Sequence, residues 1–219
     1  AGVALLHEDD DVLVVFKSHG LLTVATERER EATVQAYLNR YLADKRGQRV
    51  HVVHRLDRET SGILVFAKHL EAREMLKEQF AAHTVDRLYV AIIEGTMPED
   101  SGTIRSHLRE MPDLRMKSVD SHPDAKLAVT HYETVVSNAA YSMLEVTLET
   151  GRKNQIRAHL SEAGHPILGD RLYGSEVNPI ERLALHARRL GFDHPASGKR
   201  MAFESAVPGS FRSLFRARN

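Results

Sequence analysis

The apolar residues of this chain come in short blocks. VLVVF (Val12–Phe16), ILVFA (Ile63–Ala67) and LYVAII (Leu88–Ile93) are each five or six residues long, the length of a buried strand. Helical spacing appears between them. Val34, Tyr37, Leu38, Tyr41 and Leu42 fall at i, i+3, i+4, i+7 and i+8, and Ala72, Met75, Leu76 and Phe80 form a second apolar stripe. The run DKRGQR reads as the turn that ends the first helix. KLAVTHYETVV and YSMLEVTLE read as an antiparallel pair, with Leu144, Val146 and Leu148 alternating with polar neighbours. A third helix is expected from about Arg152, with Ile156, His159, Leu160 and Ala163 on one face. Gly164 stands at its left-handed C-terminal cap and Pro166 lies beyond. The polar segment from Met97 to Lys126 reads as a long loop or weak hairpin, and the last fifty residues as a mixture of loop, helix and short strands.

Strands and helices are thus interspersed without regular βαβ alternation. The expected fold is α+β, a mixed, largely antiparallel central sheet with flanking helices. No linker divides it, so one domain over residues 1–219 is expected. The length, 219 residues, can bury a substantial core. No apolar run approaches the roughly 18 residues of a membrane helix, and the first residues lack the basic start and apolar centre of a signal peptide. The absence of cysteine excludes disulfides and thiolate chemistry, and fits a cytoplasmic protein. Formal net charge is zero, which by itself speaks against a nucleic-acid partner. The charge is unevenly spread, however. From Arg182 to Asn219 there are eight lysines and arginines against Asp193 and Glu204, either a solvated tail or a basic binding face.

The densest chemistry is VHRLDRETSGILVFAK, Val53 to Lys68. Asp57 lies between Arg55 and Arg58, just before a buried strand. Such an Asp can be a surface ion pair, part of a turn with Thr60, Ser61 and Gly62, or a nucleophile held ionised in a cleft by a guanidinium from elsewhere.

This stretch closely resembles the central motif of the RluA-type pseudouridine synthases, H-R-L-D-x-x-T-S-G followed by an apolar strand. Further matches come in family order. RLYVAIIEG (Arg87–Gly95) resembles K-x-Y-x-A-x-V-x-G, and ETGRKNQIRAHL (Glu149–Leu160) resembles T-G-R-x-H-Q-I-R. GHPILGDRLYG (Gly164–Gly174) is almost the family's own wording. LALHARRLGFDHP (Leu183–Pro195) and EDDDVLVVFKSHGLL near the start complete the set.

The resemblance implies isomerisation of uridine to pseudouridine within rRNA or tRNA, in a catalytic cleft, with no cofactor and no metal. It implies Asp57 as the catalytic carboxylate, Tyr89 as the active-site tyrosine that stacks on the detached uracil, and Arg152 as the arginine that pairs with the aspartate. Arg55 is expected to fill the stack vacated by a flipped base or to contact phosphate, and Leu185 to line the uracil pocket or pack in the core. His54, Arg109 and Arg115 are further candidates for RNA contact. Many relatives carry a small RNA-binding domain at the N-terminus. None is expected in this chain, whose first strand begins almost at residue 1, although the opening Ala-Gly without Met leaves room for a longer natural protein.

Three positions depart from the family pattern. Asn154 stands for the usual His after T-G-R-x, and can position a neighbour but not titrate. Arg87 replaces Lys. Phe16-Lys17-Ser18-His19-Gly20 lacks the proline of N-K-P-A-G. Other classes are weaker. His51, His54 and Asp57 do not have a recognised metal-ligand spacing, no glycine-rich phosphate loop is present, and a glycosidase needs a second carboxylate, for which Glu59 is the near candidate. A non-catalytic RNA-binding protein of the same fold is the alternative from another class. A monomer is expected.

Overall fold

The structure, a computed structural model, describes residues 2–43 and 49–216. In chain order the elements are β1 (Val3–Glu8), β2 (Val12–Lys17), α1 (Val34–Ala43), β3 (His51–Val52), β4 (Ser61–Ala67), α2 (Leu70–Ala81), β5 (Asp86–Glu94), β6 (Ser101–Glu110) and β7 (Met116–Ser118). They continue with β8 (Lys126–Ser137), β9 (Tyr141–Leu148), α3 (Gln155–Glu162), β10 (Leu185–Asp193), β11 (Arg200–Glu204) and α4 (Gly209–Ser213). The class is α+β, with a large, mostly antiparallel sheet and few helices. No helix among the described residues is long and apolar enough to cross a membrane.

The chain separates into two compact units, Ala1–Arg87 with Ala187–Ala206, and Leu88–His186 with Val207–Asn219. Two of the three crossings fall inside β5 and near the start of β10, where composition does not change, and the third lies between β11 and α4, so the sequence shows no domain boundary at the first two.

In the first unit β1, β2 and β4 pair in that order, all antiparallel, and β3 pairs with β4. All seven residues of β4 are buried, which explains its unbroken apolar run. Its core includes Val12, Val14, Ile63, Val65, Leu76, Leu190 and Phe192, and each large side chain so buried stabilises by about 1.5–3 kcal/mol relative to exposure. Helix α1 is capped by the Thr33 hydroxyl, which accepts from Ala36 N at 3.0 Å, and buries Val34, Leu38 and Leu42. In α2, Ala72 and Leu76 face inward, whereas Met75 is exposed, so the second stripe is narrower than its spacing suggested. The expected turn at DKRGQR falls largely on residues 44–48, outside the described residues.

In the second unit β5, β9, β8, β6 and β7 pair in that order, all antiparallel. Their core includes Val90, Ile92, Leu144 and Val146, joined by Ile156 and Leu160 from α3 and by Phe211 from α4. Gly164 takes the left-handed conformation that ends α3, with φ +85°.

Two local expectations are refined. Of the two readings of residues 97–126, loop or weak hairpin, the structure shows the hairpin, built from the ten-residue strand β6, a turn and β7. The polar outward face of β6 conceals the strand, and on its inward face the apolar Ile104 and Leu108 alternate with Gly102 and Ser106, which leaves a weak strand pattern in the sequence. Gly102 stands opposite Tyr132, and a Cβ there would lie 2.6 Å from the tyrosine hydroxyl. The stretch LHARRLGFD, read as part of a mixed tail, is the nine-residue strand β10.

Candidate active site

Asp57 is half-buried in the segment joining β3 to β4. The backbone is fixed on both sides of it. The Thr23 hydroxyl donates to Leu56 O at 2.8 Å and accepts from Leu56 N at 3.2 Å. On the other side, Arg58 O accepts from Lys17 Nζ at 3.0 Å and from Gly20 N at 2.9 Å, while Arg58 Nε donates to Gly20 O at 3.0 Å. Thr60 N closes the turn onto Asp57 O at 3.1 Å. Lys17 is fully buried and also donates to Ser18 O and Leu21 O. One ammonium therefore holds the Ser18–Leu21 turn and the carbonyl of Arg58, just after Asp57. A hydrogen bond to a charged group is worth about 1.5–3 kcal/mol, more than a neutral one. The sequence left Lys17 and Thr23 unassigned. The signal was a lysine ending the apolar block VLVVFK. Arg55 is exposed. Arg58 approaches Glu59 at 3.7 Å, both well exposed, an ion pair of little energetic weight.

His54 is engaged within the first unit. Its Nε2 accepts from Val65 N at 3.1 Å and its ring stacks on Phe80 with centroids 4.6 Å apart. Burial, helped by the Arg87 charge, lowers its pKa to about 3. His54 Nε2 is thus taken up by Val65 N, and the ring ties the loop to β4. The unfolded chain binds a proton near pH 6.5, whereas the folded ring does not until about pH 3. Stability is thus full above pH 6.5 and falls with decreasing pH between these values, by about 1.4 kcal/mol per unit for this residue. His54→Gln, whose amide oxygen can accept from Val65 without titrating, is expected to shrink the difference in urea midpoint between pH 7.5 and pH 5. An unchanged difference would count against this assignment.

The second unit holds the other candidates. Tyr89 lies on β5 opposite Val146, half-buried and packed against the apolar core. Arg152 is not in the first turn of a helix, as expected, but in the turn before α3, which begins at Gln155. Its Nε donates to Leu127 O at 2.9 Å and its backbone N donates to Gln155 Oε1 at 3.0 Å. Asn154 adopts φ +49°, a left-handed conformation that asparagine tolerates. Its side chain makes no capping hydrogen bond to the helix and instead accepts from Arg157 Nη1 at 3.1 Å. Leu185 is 3% exposed and belongs to the apolar core. Arg109 stands on β6 opposite Lys117. Arg115 pairs with Asp113 at 2.6 Å.

The family model for RNA pseudouridylate synthases matches residues 11–162, a span that includes Asp57, Tyr89 and Arg152. The chain belongs to the RluA-type RNA pseudouridine synthase family. It is 38% identical over 219 residues to an RNA pseudouridine synthase of Bacillus subtilis, YhcT, covering 97% of this chain and 71% of that one. It is 39% identical to the ribosomal large subunit pseudouridine synthase D of Neisseria meningitidis, covering 96% of this chain and 59% of that one. Among solved structures, the human RNA pseudouridylate synthase domain containing 4 superposes with a TM-score of 0.79 at 26% identity, covering 95% and 90% of the two chains. The family's enzymes are isomerases.

One further cluster in this synthase brings metal-ligand types together. Asp9, Asp11 and His194 place donor atoms within 4.8 Å of one another. His194 Nδ1 accepts from Ala196 N and Ser197 N at 3.3 and 3.2 Å, so Nε2 carries the proton and donates to Asp9 Oδ2 at 3.1 Å. That tautomer leaves no Nε2 lone pair for an ion. Asp9 also accepts from Asp11 N and Val12 N. The cluster reads as a clamp on the β1–β2 turn.

Proposed function

We propose that the protein converts specific uridines of structured rRNA or tRNA to pseudouridine, the two units acting as one catalytic domain, with Asp57 as the catalytic carboxylate. The names of relatives such as the synthase D proteins favour ribosomal RNA. The observation that carries the reading is the doubly clamped Asp57 loop in a chain of this family. Fixing Leu56 and Arg58 sets the main-chain position from which the aspartate must reach a single nucleotide.

In this reading the N1–C1′ bond breaks, the uracil turns while held, and C5 bonds to C1′. The proton lost at C5 is balanced by one gained at N1, so no cofactor is consumed. Attack on C1′, removal of the 2′ hydrogen and addition to the ring are the three routes open to Asp57, and each needs an ionised carboxylate in contact with the nucleotide. Tyr89 stacks on the detached base, and Leu185 lines the uracil pocket. Arg152 is the cationic partner of the carboxylate, and Arg55 serves the opened stack or a phosphate. The test is tritium release from RNA labelled at uracil C5, by wild type and by Asp57→Ala. Binding by both proteins with release by neither, across ribosomal and transfer RNA, would leave a binding protein.

RNA contact by the β6–β7 hairpin is expected to be electrostatic. Arg115 is already neutralised by Asp113, whereas Arg109 faces another cation, Lys117. Arg109→Ala is expected to lower the slope of log affinity against log salt by about one, and Arg115→Ala by clearly less. Equal slopes for wild type and Arg109→Ala would remove the hairpin from the interface.

A further inference from the structure

We infer that Gln155 is the positioning residue for Arg152, acting through the backbone of the loop that carries it. The inference rests on the role proposed for Arg152 above.

Gln155 is 2% exposed and uses every hydrogen-bonding position of its amide. Oε1 accepts from the Thr150 hydroxyl at 2.7 Å and from Arg152 N at 3.0 Å. Nε2 donates to Val129 O at 3.0 Å and to the Thr130 hydroxyl at 2.9 Å. One side chain thereby ties the 150–152 turn to β8. Thr150 completes the tie by accepting from Val129 N at 2.9 Å. Arg152 makes its own side-chain contact to the same strand, Nε to Leu127 O. The guanidinium is set by two anchors on one rigid element.

The anchor on β8 is itself held from behind. The Thr130 hydroxyl, which accepts from Gln155, has one proton left to give, and His159 Nδ1 lies 2.9 Å away. His159 is fully buried, and its Nε2 is 3.0 Å from the Ser106 hydroxyl. Ser106 is 2.7 Å from the Ser118 hydroxyl, and Ser118 reaches Glu162 through both its backbone N and its hydroxyl. The pattern asks for a neutral His159 that accepts at Nδ1 and donates at Nε2. Burial lowers its pKa, consistent with that form. The row of side chains links α3, β6, β7 and β8, so the amide of Gln155 has no alternative orientation with its partners satisfied.

A glutamine that merely stabilised the fold would alter melting temperature and leave the cost of losing Arg152 unchanged. A positioning residue behaves differently, because its effect vanishes once the group it positions is gone. The test is a double-mutant cycle of Gln155→Leu and Arg152→Ala. Single-turnover tritium release is measured on ribosomal RNA labelled at uracil C5, with RNA affinity and melting temperature recorded for each variant. Gln155→Leu is expected to slow the chemical step about 10- to 100-fold with affinity little changed, the scale of an ångström-level misplacement. The double variant is expected to be no slower than Arg152→Ala alone. Multiplying losses, or a normal rate for Gln155→Leu, would overturn the inference while leaving the proposed function standing. A normal rate for Arg152→Ala would instead remove the role of Arg152, and the inference with it. Should Gln155→Leu not fold, Thr150→Val, which deletes the hydroxyl bridging Val129 N and Gln155 Oε1, enters the same cycle with the same expected and opposing results.

Discussion

Asp57→Asn is expected to reduce pseudouridine formation by about three orders of magnitude or more, with RNA affinity within about threefold of wild type. The substitution keeps shape and hydrogen-bonding capacity and removes the negative charge. The clamps beside it bind main-chain atoms of Leu56 and Arg58, through Thr23, Lys17 and Gly20, and the turn bond from Thr60 N goes to the Asp57 carbonyl. Main-chain bonds thus hold the loop on both sides of the substitution, and equal melting temperatures of the two proteins would assign a lost rate to chemistry. The measurement is single-turnover tritium release beside filter binding of the same RNA. A residual rate within tenfold of wild type would show that some other group carries the reaction.

Gly62→Ala is expected to be the most damaging single-methyl change in the first unit. Gly62 has φ +131°, a conformation that costs an L-residue about 1–3 kcal/mol. A Cβ there would lie 2.1 Å from Ala187 O and 2.7 Å from Ala187 Cα. Those are backbone atoms of β10, the neighbour of β4 in the sheet, and cannot rotate away as a side chain could. The strands must part, adding an overpacking cost of about 1–3 kcal/mol, for a total of about 4 kcal/mol, a size rare among point substitutions. Gly62 also pairs with Lys17, so the displacement reaches the ammonium that holds Arg58 O and with it the Asp57 loop. Gly198→Ala provides the comparison. Its φ is +66°, but nothing lies within 4 Å of the added Cβ, and the expected cost is about 1 kcal/mol. Urea midpoints of the two variants measure the difference. Equal values would show that the β4–β10 contact yields more easily than its geometry implies.

The local patterns were readable where one short stretch carries the whole signal. ILVFA announces β4 because both its faces are buried, and Gly164 announces the end of α3 because its backbone angle excludes most other residues. The ordered motifs, HRLDRETSG above all, sufficed to identify the family, since such motifs preserve side-chain chemistry in sequence. What they could not show is how the site loops are held. Lys17 meets Arg58 O across 41 residues and Thr23 meets Leu56 across 33, and Gln155 reaches Val129 and Thr130 across 26 and 25. Those bonds depend on strand register and on which face a residue turns inward. The β6 hairpin was obscured for a related reason, as two of its inward positions, between the apolar Ile104 and Leu108, are Gly102 and Ser106, which fit Tyr132 and His159 instead of extending the apolar pattern. The amino-acid order by itself thus determined most of the strands and helices, the family, and the candidate reactive groups that its motifs single out. The tertiary structure decided what immobilises them, because a buried polar side chain finds its partners only after the sheet has set the register.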